Sequence, residues 1–167
     1  NLLENKAGYV DCVTSSTKSS KEAKIIGEVI ELASSKDQNF NYIPKGFEIP
    51  NYLDYLHLTT NNTIFGTQYK SLPNTEVPLV ADMSSDIFSR SFDYSKLDLF
   101  YAGAQKNMGP SGVTLVVIKE SSLKKVSRVI PSMLNYEVQA KAESMFNTPP
   151  VFPVYTVLLN LRWISNN

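Results

Sequence analysis

The sequence predicts an α/β fold in which a mostly parallel sheet is flanked by helices in three αβα layers. Two observations predict it. Short apolar runs alternate with helix-like stretches along the chain. The strongest run, residues 113–118, is apolar nearly throughout, which is typical of a strand covered on both faces. The 167 residues, 43% of them hydrophobic and 19% charged, are enough to bury the core of one such domain.

Six strands are predicted from apolar runs that are bounded by polar or turn residues. They lie at residues 9–13, 29–33, 55–59, 77–81, 97–102 and 113–118. No repeat, low-complexity tract or linker divides the chain, so we expect a single domain. The chain begins without Met and stops inside a helical pattern, from which we expect residues 1–167 to be part of a larger domain.

Two helices have clear start signals. The first is predicted at residues 18–26, after the candidate caps at residues 15–17, which are Ser, Ser and Thr. The second begins after Pro150, where apolar residues recur at spacings of three and four from Val151 onward. That spacing predicts an amphipathic helix.

Composition argues against several classes of function. Sixteen basic and sixteen acidic residues cancel, so no electrostatic attraction to nucleic acid or an anionic membrane is expected. The nearest basic cluster is Lys124, Lys125 and Arg128, whose spacing predicts one solvated helix face. With Cys12 as the only cysteine, no metal site is expected from thiolates. No apolar run approaches the ~20 residues of a membrane-spanning helix.

Residues 101–112, Tyr-Ala-Gly-Ala-Gln-Lys-Asn-Met-Gly-Pro-Ser-Gly, contain the strongest candidate for chemistry. A predicted buried strand runs into Gly103, and Lys106 follows shortly after it. Burial would lower the pKa of such a lysine and make its amine a nucleophile that can form an imine with an aldehyde. Taken alone, the segment also fits a lysine that extends from a loop into solvent.

A carboxylate and a polar loop follow two other predicted strands. Asp82 comes directly after residues 77–81, and the loop at residues 59–67 contains Thr63. Ligands collect at the carboxyl ends of strands in open α/β sheets, so Asp82 and Lys106 could face one pocket. Asp82 could equally cap the turn after it, and the loop could be only a turn. His57, the only histidine, is predicted to be a satisfied residue within the sheet.

These segments, in this order, resemble the phosphoserine aminotransferase family, whose members are class V, fold-type-I enzymes that use pyridoxal 5′-phosphate. The matching segments are residues 33–37, 59–67, 80–86, 101–112 and 147–150. Together they span almost the whole chain. Ala-Gly-Ala-Gln-Lys-Asn-x-Gly-Pro-x-Gly is highly specific for this family, and Ala-Asp-x-Ser-Ser supports it. The resemblance implies the central part of the large cofactor-binding domain, without an N-terminal segment and a C-terminal small domain.

The resemblance assigns roles to three residues around the cofactor ring. Lys106 would bond to the cofactor aldehyde and later shuttle a proton between the substrate carbon and the cofactor C4′. Asp82 would pair with the pyridinium nitrogen, which keeps the ring protonated and able to draw electrons from the substrate. Thr63 would hydrogen-bond the phenolic oxygen of the ring.

The resemblance also assigns residues to the cofactor phosphate. Gln105 would help to hold it within one subunit. Asn147 and Thr148 match residues that reach the phosphate of the neighbouring subunit in the family, which implies a homodimer with shared active sites. Neutral donors of this kind suit a dianionic phosphate.

One family position differs. The family has a tryptophan that stacks on the pyridine ring, and Ser15 stands in its place here. The loss of a flat contact of this kind weakens binding by roughly 1–3 kcal/mol, by analogy with stacking on nucleobases. Arg90, Arg128 and Arg162 match no binding position of the family, so the arginines that clamp the substrate are not among these residues.

The resemblance implies a cytoplasmic enzyme of L-serine biosynthesis that transfers an amino group between L-glutamate and 3-phosphohydroxypyruvate. Two alternatives remain. A truncated or degenerate member that is catalytically silent and only folds or dimerises would fit Ser15 and the cut ends. Another class V enzyme, such as a cysteine desulfurase, would need a nucleophilic cysteine, and Cys12 lies on a predicted strand where it is poorly placed.

Overall fold

The computed structural model describes residues 1–166 and places six strands in one sheet. The strands are β1 (Lys6–Asp11), β2 (Glu28–Ser34), β3 (Tyr55–Thr59), β4 (Leu79–Asp82), β5 (Leu99–Gly103) and β6 (Thr114–Ile118). Their order across the sheet is β2-β1-β3-β4-β5-β6. The neighbouring pairs are parallel, apart from β5 and β6, which are antiparallel. The predicted mostly parallel sheet is therefore confirmed.

Each predicted strand is present, although several ends differ. β3 has the predicted bounds, whereas β4 and β5 begin later than predicted. Val77 and Leu97 are buried but precede the paired segments, so an apolar run alone placed those starts too early. β1 begins earlier and ends at Asp11, because a helix follows it almost at once.

The sheet is apolar on both faces, and a helix contributes to each. The first face belongs to a buried cluster that includes Val10, Leu56, Leu58 and Ala81, and the second to one that includes Tyr9, Tyr55, Val80 and Leu99. Helix α1 (Thr14–Ile26) packs Ala23 against the second face. Helix α3 (Val151–Ser165) packs Val157 against the first. The predicted three-layer arrangement is confirmed.

Helix α1 begins earlier than predicted. It starts at Thr14 instead of residue 18, so the candidate caps lie inside its first turn. The backbone N–H of Val13 donates to Ser16 Oγ at 3.2 Å, and Ser16 Oγ donates to Asp11 Oδ1 at 2.8 Å. Ser16 therefore stabilises the helix start from within the helix and ties it to the end of β1.

The helix face predicted for Lys124, Lys125 and Arg128 is wrong. The chain has turn and irregular backbone there, and Lys124 has a positive φ of 60°. Arg128 donates instead to the carbonyls of Ile26 and Glu4, at 3.0 and 3.1 Å. These contacts tie the segment after β6 to the end of α1 and to the chain before β1.

The helix predicted after Pro150 is confirmed as α3, and the short helix α2 (Tyr136–Lys141), which was not predicted, precedes it. Gly109 lets α3 approach the turn after β5, since a Cβ there would lie 3.2 Å from Val157 Cγ2. No residue of Val151–Ser165 is fully buried, and Phe152 is 73% exposed. The apolar residues of α3 are therefore largely uncovered in this chain.

Two further observations concern the part of the chain that the structure describes. Every helix within residues 1–166 is too short or too polar to span a bilayer. The His, Cys, Asp and Glu side chains of the same residues form no group that could hold a metal ion.

Candidate functional site

Polar residues at or after the ends of β3, β4 and β5 lie at the carboxyl edge of the sheet. Thr63 lies in the loop after β3, Asp82 is the last residue of β4, and Lys106 lies in the turn after β5. Lys106 Nζ donates a hydrogen bond to Thr63 Oγ1 at 2.7 Å. The structure therefore joins the predicted lysine to the predicted threonine, across 43 positions of sequence.

The turn that carries Lys106 is fixed from three sides. The Gly109 N–H donates to the Ala104 carbonyl at 2.9 Å, and Asn107 Nδ2 donates to the Ile87 carbonyl at 2.7 Å. Asn160 of α3 donates to the carbonyls of Asn107 and Met108, at 2.8 and 3.0 Å. These contacts anchor the backbone on both sides of the lysine.

The Lys106 side chain itself is exposed. Of the two alternatives for Lys106, the buried and desolvated amine is therefore not the one that this structure shows. The alternative, a lysine that extends from a loop toward solvent, describes its position, with Thr63 as its hydrogen-bond partner.

Asn62 positions Thr63, and the sequence analysis did not assign it a role. Its side chain is buried, and Nδ2 donates to the Cys12 carbonyl at 3.1 Å. Its Oδ1 accepts from the N–H groups of Ile64 and Phe65, at 3.0 and 3.2 Å. Asparagine before a turn that ends in glycine is a signal for this geometry. Asn62 therefore fixes the Thr63 loop to the end of β1.

Asp82 is half-buried and holds the turn that follows it. Its Oδ1 accepts from the Ser84 N–H at 3.0 Å and from Ser84 Oγ at 2.6 Å. The turn-capping alternative is therefore confirmed. It is compatible with a ligand role, since Asp82 also lies at the edge of the sheet, between its register partners Thr59 and Tyr101.

Asp86 is a buried acid that links two loops of this edge, and the sequence analysis gave it no role. Thr60 Oγ1 donates to Asp86 Oδ1 at 2.5 Å, and Gln68 Nε2 donates to Oδ2 at 3.3 Å. Arg90 lies 3.6 Å from the same carboxylate and donates to the Tyr69 carbonyl at 2.8 Å. The Asp86 network holds the loop after β3 against the turn after β4.

Ser15, which stands where the family has its ring-stacking tryptophan, is exposed on the first turn of α1. The turn is held by Asp11, which accepts from the hydroxyls of Ser16 and Thr17 at 2.8 Å and forms an ion pair with Lys36. Burial alone would raise the pKa of Asp11, but Lys36 and the two hydroxyls outweigh it and hold that pKa below its ordinary value. Ser15 therefore occupies a well-fixed position at the same edge of the sheet.

The three residues assigned to the cofactor phosphate are all exposed. The Gln105 side chain folds over Gly103, where a Cβ would collide with Gln105 Oε1. Asn147 and Thr148 lie between α2 and α3, where Asn147 Nδ2 donates to the Thr148 carbonyl at 3.4 Å. Within residues 1–166, neither of these two forms a hydrogen bond with the edge residues Lys106 and Thr63.

His57 is buried in β3, and the prediction of a satisfied sheet histidine is correct for one ring nitrogen. Its Nε2 lies 3.0 Å from Tyr101 Oη. Its Nδ1 has no hydrogen-bond partner among the described residues.

Cys12 is buried directly after β1. Burial and the negative charge of Asp11 raise the pKa of the Cys12 thiol to about 11. Because the thiolate is the nucleophilic form, a protonated buried thiol is unsuited to the chemistry of a cysteine desulfurase.

One cleft of the structure lies beside Lys106, and a separate cavity lies away from the candidate site residues. A cleft beside Lys106 is lined by Asn107, Gly109, Thr156, Leu159, Asn160 and Trp163. A cavity of about 710 Å³ lies between residues 42–49 and 67–74, and none of the predicted site residues lines it within the described part of the chain. Cavity size alone would therefore have pointed away from the candidate site.

The family model of the class-V aminotransferases matches residues 20–167. The chain belongs to this family. Among curated relatives it is similar to the phosphoserine aminotransferase of Flavobacterium psychrophilum, with 60% identity over 166 residues. That match covers 99% of this chain and 47% of the relative, so the chain spans about half the length of the curated relatives it matches.

Solved structures agree with this assignment. The chain superposes on phosphoserine aminotransferase from Bacillus circulans subsp. alkalophilus with a TM-score of 0.91 and 44% identity, covering 97% of this chain and 46% of that one. It superposes on pyridoxal-phosphate-bound phosphoserine aminotransferase from Trichomonas vaginalis with a TM-score of 0.87 and 28% identity, covering 96% and 47%. The sheet and helices are thus those of the fold-type-I enzymes that the resemblance implied.

Proposed function

We propose that this chain forms the cofactor-bearing part of a pyridoxal-phosphate-dependent transaminase that moves an amino group between L-glutamate and 3-phosphohydroxypyruvate. The hydrogen bond between Lys106 Nζ and Thr63 Oγ1, at 2.7 Å, carries the proposal. It holds an amine at the carboxyl edge of the sheet, one strand from Asp82, where open α/β sheets bind ligands. The shared name of the curated relatives supports the choice of substrates.

The residues at this edge fit pyridoxal 5′-phosphate chemically. When bound, the cofactor supplies an aldehyde that takes up amines and a ring that withdraws electrons. Lys106 offers an amine, Thr63 a hydroxyl for the phenolic oxygen, and Asp82 an acid for the ring nitrogen. Because Ser84 Oγ holds Asp82 Oδ1 at 2.6 Å, the orientation of this carboxylate is set before any ligand binds.

Lys106 has two tasks in this proposal. Its amine would hold the cofactor through the cofactor's aldehyde. When it is not bound there, the same amine would act as the base that accepts the proton of the substrate carbon. The anchored turn, held by Asn107 and Asn160, keeps the base of the side chain in place while its exposed end moves.

Gln105, Asn147 and Thr148 would bind the cofactor phosphate. Gln105 adjoins Lys106 and would act within its own subunit. Asn147 and Thr148 would act on a neighbouring copy, as the family resemblance implies, and their exposure leaves them accessible to one. The proposed assembly is therefore a homodimer with shared sites.

The chain would correspond to the central part of the large cofactor-binding domain. Its span of about half the length of its relatives supports this assignment. Arg90 and Arg128 bind protein carbonyls here, so the arginines that clamp substrate carboxylate and phosphate would come from the remainder of the enzyme. We place the enzyme in L-serine biosynthesis in the cytoplasm.

Borohydride trapping tests the cofactor role of Lys106. The chain is incubated with pyridoxal phosphate, reduced and digested, and the labelled peptide is identified by mass. We expect one phosphopyridoxyl group on Lys106 and none at that position in Lys106→Ala. Lys18→Ala removes an exposed lysine of α1 and serves as the matched control, with labelling unchanged. Label scattered over many lysines would overturn the proposal.

A second candidate function is a catalytically silent member that folds without holding the cofactor. One observation favours it: Ser15 presents no flat surface to a ring at its exposed position on α1. The same trapping experiment decides between the two, because a silent member would leave Lys106 unlabelled while circular dichroism reports a folded chain.

A further inference from the structure

The cavity between residues 42–49 and 67–74 is lined by none of the described residues that were assigned to the cofactor. Its volume of about 710 Å³ falls within the roughly 300–1,000 Å³ of pockets that hold small organic ligands. Its apolar surface includes Ile43, Phe47 and Leu72, which are partly buried and pack against the buried cluster on the first face of the sheet. The cavity is therefore backed by the core of the fold.

Contacts outside the cavity hold both of its walls in place. On one wall, Tyr42 Oη donates to Asp37 Oδ1 at 2.9 Å. On the other wall, the Tyr69 N–H donates to the Thr60 carbonyl at 2.9 Å. Neither contact involves a ligand, so the cavity is formed before one binds, as most small-molecule sites are.

The charged residues that line the cavity are both cations. Lys45 belongs to one wall and Lys70 to the other, and no Asp or Glu of residues 1–166 lines it. Lys45 forms no hydrogen bond or ion pair with another described residue. Lys70 Nζ donates to Gln68 Oε1 at 3.2 Å, but this acceptor is neutral. An ammonium group has three N–H donors, so both lysines keep donors and a positive charge that a ligand can use.

We propose that this cavity binds a small organic anion, with its carboxylate or phosphate at Lys45 and Lys70 and its apolar body against Ile43, Phe47 and Leu72. Lysine binds such head groups as a point charge. The removal of apolar surface from water favours burial of the rest of the ligand. Two uncompensated cations beside an apolar wall therefore select an amphiphilic anion over an inorganic ion or a neutral apolar molecule.

Isothermal titration calorimetry of the chain, without pyridoxal phosphate, tests the inference with three probes that share one hydrocarbon chain. Octanoate and octyl phosphate carry the anionic head groups, and octanamide is the neutral counterpart of octanoate. The double variant Lys45→Gln with Lys70→Gln removes both charges of the cavity. The double variant Lys18→Gln with Lys21→Gln is the matched control, since it removes two exposed charges of α1.

We expect the wild-type chain to bind at least one of the two anions about tenfold more tightly than octanamide, the combined effect of two partly exposed charge contacts. Lys45→Gln with Lys70→Gln should abolish this preference, whereas Lys18→Gln with Lys21→Gln should retain it. The tighter of the two anions identifies the head group. A wild-type chain that does not prefer the anions, or a preference that survives in Lys45→Gln with Lys70→Gln, would overturn the proposal.

Amide chemical shifts of the ¹⁵N-labelled chain locate the bound probe, because the exposed apolar residues of α3 offer a hydrocarbon chain a second surface. We expect the shifts induced by the tighter anion to lie mainly within residues 42–49 and 67–74. Shifts mainly within α3 would overturn the proposal. The outcome is independent of the proposed function, since a chain that fails to take label on Lys106 would still bind the anion in this cavity.

Discussion

The carboxyl edge of the sheet and the C-terminal helix α3 differ in how completely this chain organises them. At the edge, buried Asn62, Asp86 and Asp11 each make several hydrogen bonds that fix the loops next to Thr63, Asp82 and Ser15. Along Val151–Ser165, no residue is fully buried, and large apolar side chains face outward. The residues proposed for the cofactor ring are therefore held in place within this chain, whereas the apolar side chains of α3 remain largely uncovered.

Replacing leucine by alanine should lower the free energy of unfolding far more in the sheet than in α3, and this is the largest difference we expect between the two regions. Leu56 of β3 is fully buried, whereas Leu158 of α3 is 42% exposed. Leu56→Ala should lower the free energy of unfolding by about 3 kcal/mol, because it leaves a cavity in the core. Leu158→Ala should lower it by less than about 1 kcal/mol. Urea denaturation followed by circular dichroism measures both, and equal losses would contradict the contrast.

Two ion pairs at opposite ends of β1 differ in burial, so we expect their removal to change the stability of the fold by different amounts. Lys36→Ala leaves the buried Asp11 carboxylate without its ion-pair partner. Lys6→Ala, by contrast, removes an exposed ion pair with Glu28. We expect Lys36→Ala to cost about 3 kcal/mol of unfolding free energy and Lys6→Ala to leave that free energy nearly unchanged, because exposed ion pairs contribute little. The double variant Lys36→Ala with Asp11→Asn should recover part of the loss. A failure to recover any of it would show that Asp11 is not the partner that matters.

A fall in pH should reduce the stability that the Asp11 carboxylate contributes to the fold. A carboxyl whose pKa is lower in the folded state stabilises the fold above its ordinary pKa, and this contribution disappears as pH falls through the folded value. Asp11 has such a lowered pKa, from an ordinary value of 3.8. The wild-type chain should therefore lose more stability than Asp11→Asn as pH falls below about 4. Parallel pH dependences in urea titrations would refute this role of Asp11.

Restoring an aromatic residue at the edge should have a smaller effect, on the ligand and not on the fold. Ser15→Trp should tighten binding of pyridoxal phosphate by roughly tenfold, within the 1–3 kcal/mol that stacking of a base on an aromatic contributes. Ser15→Leu, which adds apolar volume without a flat ring, is the control. Absorbance titration measures both, and an equal gain in Ser15→Leu would exclude stacking as the cause.

The uncovered surface of α3 should cause self-association. Phe152 and Tyr155 are 73% and 55% exposed, and exposed apolar patches favour association. Sedimentation velocity at micromolar concentration should detect oligomers of the wild-type chain and fewer of the double variant Phe152→Lys with Tyr155→Lys. A wild-type chain that remains monomeric would contradict this expectation.

The sequence predicted the sheet well because buried parallel strands are continuous apolar runs, and β3 was predicted to the residue. It did not predict that β6 runs antiparallel, since an apolar run contains no information about strand direction. The helix expected at Lys124 and Arg128 was wrong because charge spacing does not reveal that Arg128 binds distant carbonyls.

Within the candidate site, the family resemblance gave Lys106 and Thr63 separate roles around the cofactor ring, and the hydrogen bond between the two side chains was not predicted. Asn62 and Asp86 were missed as supporting residues because their partners are backbone carbonyls and side chains from other loops. The exposure of Lys106 was left open, because the direction of a side chain in a turn depends on contacts such as those of Asn160, far away in sequence.

The most direct test of the central claim is a crystal structure of the chain after pyridoxal phosphate has been reduced onto it. The account predicts the adduct on Lys106, with the ring nitrogen within about 3 Å of the Asp82 carboxylate and the phenolic oxygen at the same distance from Thr63 Oγ1. An adduct whose ring nitrogen faces solvent, or one formed on another lysine, would contradict it.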